Sequence, residues 1–142
     1  NTVVLTGDYH ASFAFDVAKN PFEPSSYNPD TGEGSLAVEF VCPALTSLAL
    51  PEDNSGPEAN PHQKFNNQVD HGYMLLDITE QAFGCEWYYI DTLKERNDST
   101  RFAKGLVTQT STNHLVDSSQ ARAIMDSPAL ASKDKAVAVK KV

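Results

Sequence analysis

Gly72-Tyr73-Met74-Leu75-Leu76-Asp77-Ile78, Thr79-Glu80-Gln81-Ala82-Phe83 and Gly84-Cys85-Glu86-Trp87-Tyr88-Tyr89-Ile90 follow one another without a break. The outer stretches are apolar and aromatic runs that each open on glycine, and the middle one has the length of a hairpin connection. Together they read as two antiparallel strands. Working outward, Leu36-Ala37-Val38-Glu39-Phe40-Val41-Cys42 reads as a strand ended by Pro43, and a short strand is expected at Gly105 to Thr110. Thr2-Val3-Val4-Leu5-Thr6 is a β-branched apolar run that stops at Gly7, as a buried strand feeding a loop would.

Between these runs lie two polar stretches. Residues 19–35 hold three prolines and two glycines and read as a long surface loop; Pro51 to Asn67 reads as a second one. Ser118 to Met125 carries a Ser cap and helix-forming residues, and the Lys-rich end after Asp126 is expected to be loose. This pattern predicts about four to six strands, mostly antiparallel, with one or two short helices. A chain that opens two residues ahead of a core strand is expected to be a piece of a longer protein.

The chain has 142 residues, 40% hydrophobic and 9% aromatic, the composition of one ordinary globular domain. At this length folding buries roughly two-thirds of the accessible surface, so a metal would be present for chemistry and not as a staple. Eleven Lys and Arg against nineteen Asp and Glu leave a net charge of -8, with Lys140-Lys141 the one basic pair near the end. Nucleic-acid binding needs clustered positive charge, so no nucleic-acid-binding surface is expected. No apolar run approaches the roughly 20 residues of a membrane span, and no transmembrane segment is expected. Cys42 and Cys85 lack metal-type spacing and read as buried free thiols, a disulfide being the alternative.

Chemistry concentrates in Gly7-Asp8-Tyr9-His10. In an extended backbone Asp8 and His10, two apart at a strand end, point to the same side and suit two ligands of one cluster. A carboxylate with an imidazole suits iron, manganese or zinc, and Asp8 alone could contribute to calcium. Gly7 is expected to supply the tight turn. Taken alone, the same residues also read as a turn cap and an ordinary partly exposed histidine.

Further motifs stand in a fixed order: Leu5-Thr6-Gly7-Asp8-Tyr9-His10-Ala11-Ser12, Val38-Glu39-Phe40-Val41-Cys42-Pro43-Ala44-Leu45-Thr46-Ser47, Asn60-Pro61-His62, His71-Gly72-Tyr73 through Asp77-Ile78-Thr79, and Trp87-Tyr88-Tyr89-Ile90-Asp91-Thr92. In this order they resemble the C-terminal half of the alkaline phosphatase D family of metallophosphoesterases. The resemblance covers residues 1 to about 95. It departs at Cys42, usually Thr, and at Tyr9, usually aliphatic or small.

The resemblance implies an α+β, strand-rich fold, the C-terminal portion of a metallophosphoesterase-type α/β sandwich. Residues 1–113 would belong to the phosphatase domain, and 114–142 would be a short helix and mobile tail. It implies a phosphomonoesterase or phosphodiesterase that uses a metal-activated water, with calcium and iron as cofactors and a periplasmic or secreted address. Asp8 and His10 would be metal ligands, with no catalytic residue beyond the ligands. The family's remaining Asp, Asn, Cys and Tyr ligands would come from an N-terminal half, a partner of this chain that these residues do not include. His62 and His71, on loops beside the expected strands, could contact the phosphate of the substrate; His114 reads as a surface residue. The alternative is a non-catalytic β-rich domain or binding module, inactive in isolation.

Overall fold

Residues 1–48, 59–95 and 99–118 are described by the computed structural model. They form eight strands: β1 (Val3–Thr6), β2 (Ser12–Ala18), β3 (Ser35–Val41), β4 (Gln63–Asn67), β5 (Gly72–Ile78), β6 (Ala82–Ile90), β7 (Thr100–Gln109) and β8 (Val116–Asp117). Two four-stranded sheets result, ordered β1-β3-β2-β4 and β5-β6-β7-β8. The second sheet is antiparallel throughout, whereas in the first β1 runs parallel to β3.

The hairpin is tighter than its sequence suggests. Ile78 already pairs with Phe83, the Thr79 N–H donates to the Ala82 carbonyl at 2.9 Å, and the Thr79 hydroxyl accepts from the Ala82 N–H at 3.0 Å. A two-residue link closes the turn, and β6 starts two residues earlier than expected. Gly72 opens β5 where a Cβ would meet the Tyr88 carbonyl oxygen at 1.9 Å, so only glycine lets β5 lie this close to β6.

The sheets pack through one core of Ala14, Val38 and Phe40 from the first, Cys85, Trp87, Tyr89 and Leu106 from the second, and Leu115. Phe40 stacks on Phe83 at 5.6 Å, and Trp87 meets both Phe40 and Phe65. The Trp87 indole N–H, fully buried, donates to the Val41 carbonyl at 3.2 Å and ties β6 to the end of β3. Trp87→Phe keeps a ring but removes that donor, and should cost about 0.5–1.5 kcal/mol of stability in urea unfolding. An unchanged midpoint would mean that the bond contributes nothing net.

Several expectations are corrected. Among the described residues there is no helix, so the fold is nearly all β and not α+β. The described residues hold eight strands, where four to six were expected. β4 lies inside the stretch expected to be loop, because its backbone pairs with β2 although only Phe65 among its residues is apolar. The helix expected from Ser118 lies outside the described residues except for Ser118, whose N–H donates to Gly105 O. Leu115 is buried and β8 pairs with β7, just beyond the boundary drawn at residue 113. Both cysteines are free, Cys85 buried against the Met74 sulfur at 3.5 Å and Cys42 half-buried. Burial, with Cys42 and Glu86 nearby, pushes the Cys85 thiol far up. Among the described residues no helix is long and apolar enough to cross a membrane.

Candidate metal centre

β1 delivers the chain into Gly7–His10 and β2 carries it away, so the segment is a loop at one end of the first sheet. Its backbone differs from the extended one expected. Asp8 has φ 71° and His10 has φ 61°, both left-handed, so the alternation that would send their side chains to one side does not apply. Gly7 is not the turning residue, and a Cβ there would meet nothing. Two left-handed excursions on non-glycine residues, separated by Tyr9 alone, cost on the order of 1–3 kcal/mol each, strain of the kind that clusters at functional sites.

The His10 imidazole is fixed by the chain after β3. Its Nδ1 lies 2.9 Å from the Leu48 carbonyl, and His71 Nε2 lies 2.7 Å from the Ser47 carbonyl. A carbonyl oxygen only accepts, so each of these nitrogens carries a proton. In the neutral form His10 Nε2 and His71 Nδ1 are left as bare lone pairs. A ring N–H anchored on a backbone carbonyl while the other nitrogen stays free is the usual arrangement of a metal-binding or phosphate-facing histidine. Asp8 is exposed at the same loop.

The structure therefore brings His10 and His71 onto adjacent carbonyls, with Asp8 in the same loop as His10. It does not bring His62 there. Tyr9, Phe13, Phe15 and His62 form a row of rings at 5.5, 5.6 and 5.4 Å, and His62 is at its far end. His62 also meets Phe22 at 5.8 Å, and its Nδ1 is buried without a partner. Burial lowers its pKa from 6.5; nearby Asp16 works the other way, and Lys64 adds to the lowering. A histidine that resists charging when folded makes the unfolded state bind more protons, so stability falls as pH drops below about 6.5 toward the lowered value. His62→Gln should flatten that part of the stability curve, as measured by urea unfolding between pH 5 and 7; an unchanged slope would clear His62 of the effect.

A second polar cluster was not visible in the sequence. Asp16, fully buried on β2, accepts from the Tyr27 hydroxyl at 2.9 Å and the Leu115 N–H at 2.9 Å, contacts His114 Nδ1 at 2.6 Å, and lies 3.4 Å from Lys64 Nζ. Its partners come from the 19–35 loop, β4 and the segment before β8. His114, expected at the surface, is half-buried here. Burial first, then Asp16, pushes the Tyr27 hydroxyl far up.

Asp8 and His10 fit part of a metal site by donor chemistry, one oxygen and one nitrogen. Among the described residues no three His, Cys, Asp or Glu side chains stand together as a complete set.

The family model for PhoD-like phosphatases matches residues 1–87. The solved structure titled "Structure of PhoD" superposes with a TM-score of 0.69 over 86% of this chain at 25% identity, and the match covers 23% of that chain. This chain thus corresponds to about a quarter of the solved relative. No curated protein matches. With more than half of its 142 residues matched, the Asp8–His10 loop among them, this chain belongs to the PhoD-like phosphatase family.

Proposed function

We propose that this chain is the C-terminal portion of a metal-dependent phosphomonoesterase or phosphodiesterase and supplies one side of its metal centre. The observation that carries this is the pair of adjacent carbonyls, Ser47 and Leu48, that hold His71 and His10 with one ring nitrogen of each left free. Family membership supports the hydrolase class.

In this reading Asp8 and His10 are ligands. Leu48 orients the His10 ring and selects its tautomer, so that Nε2 is the ligating atom. The left-handed backbone at both residues sets the directions in which their side chains leave the loop. His71, held by Ser47, keeps Nδ1 free to accept a hydrogen bond when neutral and to donate one to a phosphate oxygen when protonated. His62, at the other end of the ring row, contacts the remoter part of the ester. Cations held here, calcium and iron by analogy with the family, would neutralise phosphate charge and lower the pKa of water. The remaining ligands come from an N-terminal half of the same protein, and the protein is periplasmic or secreted.

The isolated chain is then inactive, a β-rich module with part of a site. Elemental analysis together with hydrolysis of a chromogenic phosphate ester at alkaline pH, with calcium and iron added, tests this on the 142-residue chain and on the longer protein. The expected result is metal and turnover in the longer protein alone. Stoichiometric metal with turnover in the short chain would show a complete site and sink the half-site reading; no turnover in the longer protein would sink the phosphatase reading.

A further inference from the structure

His71 stands where the chain passes from one sheet to the other, between β4 of the first and β5 of the second. The turn that delivers it is built on Asn67, the last residue of β4. The Asn67 side-chain carbonyl accepts from the Val69 N–H at 3.2 Å and the Asp70 N–H at 2.9 Å, and its amide donates to the Asp70 carboxylate at 2.9 Å. Asn67 faces Ser12 across the ladder, two residues past His10, so the turn starts from the strand that carries the His10 loop away. Beyond the turn the Gly72 N–H donates to Ala44 O at 3.0 Å, and the His71 carbonyl accepts from the Ile90 N–H at 2.9 Å. Ala44, Ser47 and Leu48 all follow β3, so one stretch of chain registers both His71 and His10.

One contact in this arrangement comes from farther along the chain and lies at the surface. Arg101 on β7 sets Nη2 2.8 Å from the same Asp70 oxygen that Asn67 holds, with its guanidinium 5.1 Å from the centre of the Tyr89 ring. Tyr89 is its cross-strand partner and is buried, whereas the Arg101 side chain is 51% exposed. A planar guanidinium can lie on a ring and donate to a carboxylate at once, which a lysine ammonium does less well. Asp70 follows the first sheet and Arg101 belongs to the second, so the pair spans the two sheets one residue ahead of His71. An ion pair this exposed adds little to stability. What it fixes is a position, and a misplacement of about 1 Å at a reacting group costs on the order of 100-fold in rate.

We propose that Arg101, acting through Asp70, is a positioning residue for His71. The pair holds the turn across the two sheets, so that the ring anchored on Ser47 O keeps the direction in which it meets a phosphate oxygen. This rests on the reading of His71 as a phosphate contact of a metal-dependent phosphatase. Arg101 then acts without touching the ester, and its loss leaves Asp8 and His10 as they are.

Arg101→Met keeps an unbranched apolar stem for the Tyr89 ring and removes the charge and the donors. In the longer protein it is expected to lower kcat/KM for a chromogenic phosphate ester by about 10- to 100-fold, with metal content and urea midpoint unchanged. Amide exchange at residues 69–72 should be at least about 10-fold faster. In a His71→Ala background the same substitution should cost less than about 3-fold, because nothing is left to position. A fall of undiminished size in that background overturns the proposal, as does full turnover or unchanged exchange in Arg101→Met. If the methionine variant does not fold, Asp70→Asn, which keeps an acceptor and loses the charge, is read by the same cycle. Absence of turnover in the unmutated protein removes the phosphatase reading alone: faster exchange in Arg101→Met then still upholds the grip of Arg101 on the His71 turn, and unchanged exchange overturns it.

Discussion

Replacing His10 with alanine in the longer enzyme is expected to lower metal content and ester hydrolysis together, each by at least about 100-fold, because losing a group that merely orients a ligand already costs about 10–100-fold. The two readouts must fall in step. A backbone artefact is possible at this position, since His10 sits at φ 61° and alanine carries a cost of roughly 1–2 kcal/mol in left-handed backbone. His10→Gly adopts that conformation freely and still lacks the imidazole. If glycine restores activity, His10 acts through its backbone; if both variants keep their metal and their rate, it is no ligand.

Asp16→Ala is expected to cost about 3–5 kcal/mol, the range for stripping one member from a buried charge pair and leaving its partners unsatisfied. Four groups lose their acceptor at once: the Tyr27 hydroxyl, the Leu115 N–H, His114 and Lys64. Urea unfolding of the 142-residue chain measures the loss. If alanine prevents folding, Asp16→Asn, which can still accept from Leu115, gives a smaller and measurable deficit. A double-mutant cycle with His114→Ala isolates that pair. A loss below about 1 kcal/mol for alanine would place Asp16 among ordinary exposed pairs and contradict its burial.

How much of this was legible can be seen strand by strand. The hairpin around Glu80-Gln81 and the strands β1 and β3 announce themselves, because their apolar runs are bounded by Gly7, Pro43 and Gly72. β2 is hidden by an inverted pattern: Phe13, Phe15 and Val17 face outward while Ser12, Ala14 and Asp16 face the core, so hydrophobic alternation points to the wrong side. β4 is hidden because a strand held by backbone pairing needs little apolar content of its own. At the candidate site, the order of residues singles out Asp8 and His10 as candidates but says nothing of their geometry, since positive φ values leave no trace at non-glycine residues. Nor could side-chain patterns show that His10 and His71 meet neighbouring carbonyls, because carbonyls belong to every residue. A separation of 98 positions puts the contact of Asp16 with His114 beyond any local signal.

That separation bears on how the protein is made. Asp16 lies in β2, and its donors at His114 and Leu115 leave the ribosome 98 and 99 residues after it. Until they arrive the carboxylate has only Tyr27 and Lys64 to replace water, and the set that holds β2 is incomplete. Contacts so distant along the chain slow folding through the entropy of closing the intervening loop. A nascent chain cut short before Leu115 would keep most of both sheets in sequence yet lack the lock between them, so a quality-control protease would find incomplete copies open and finished ones closed.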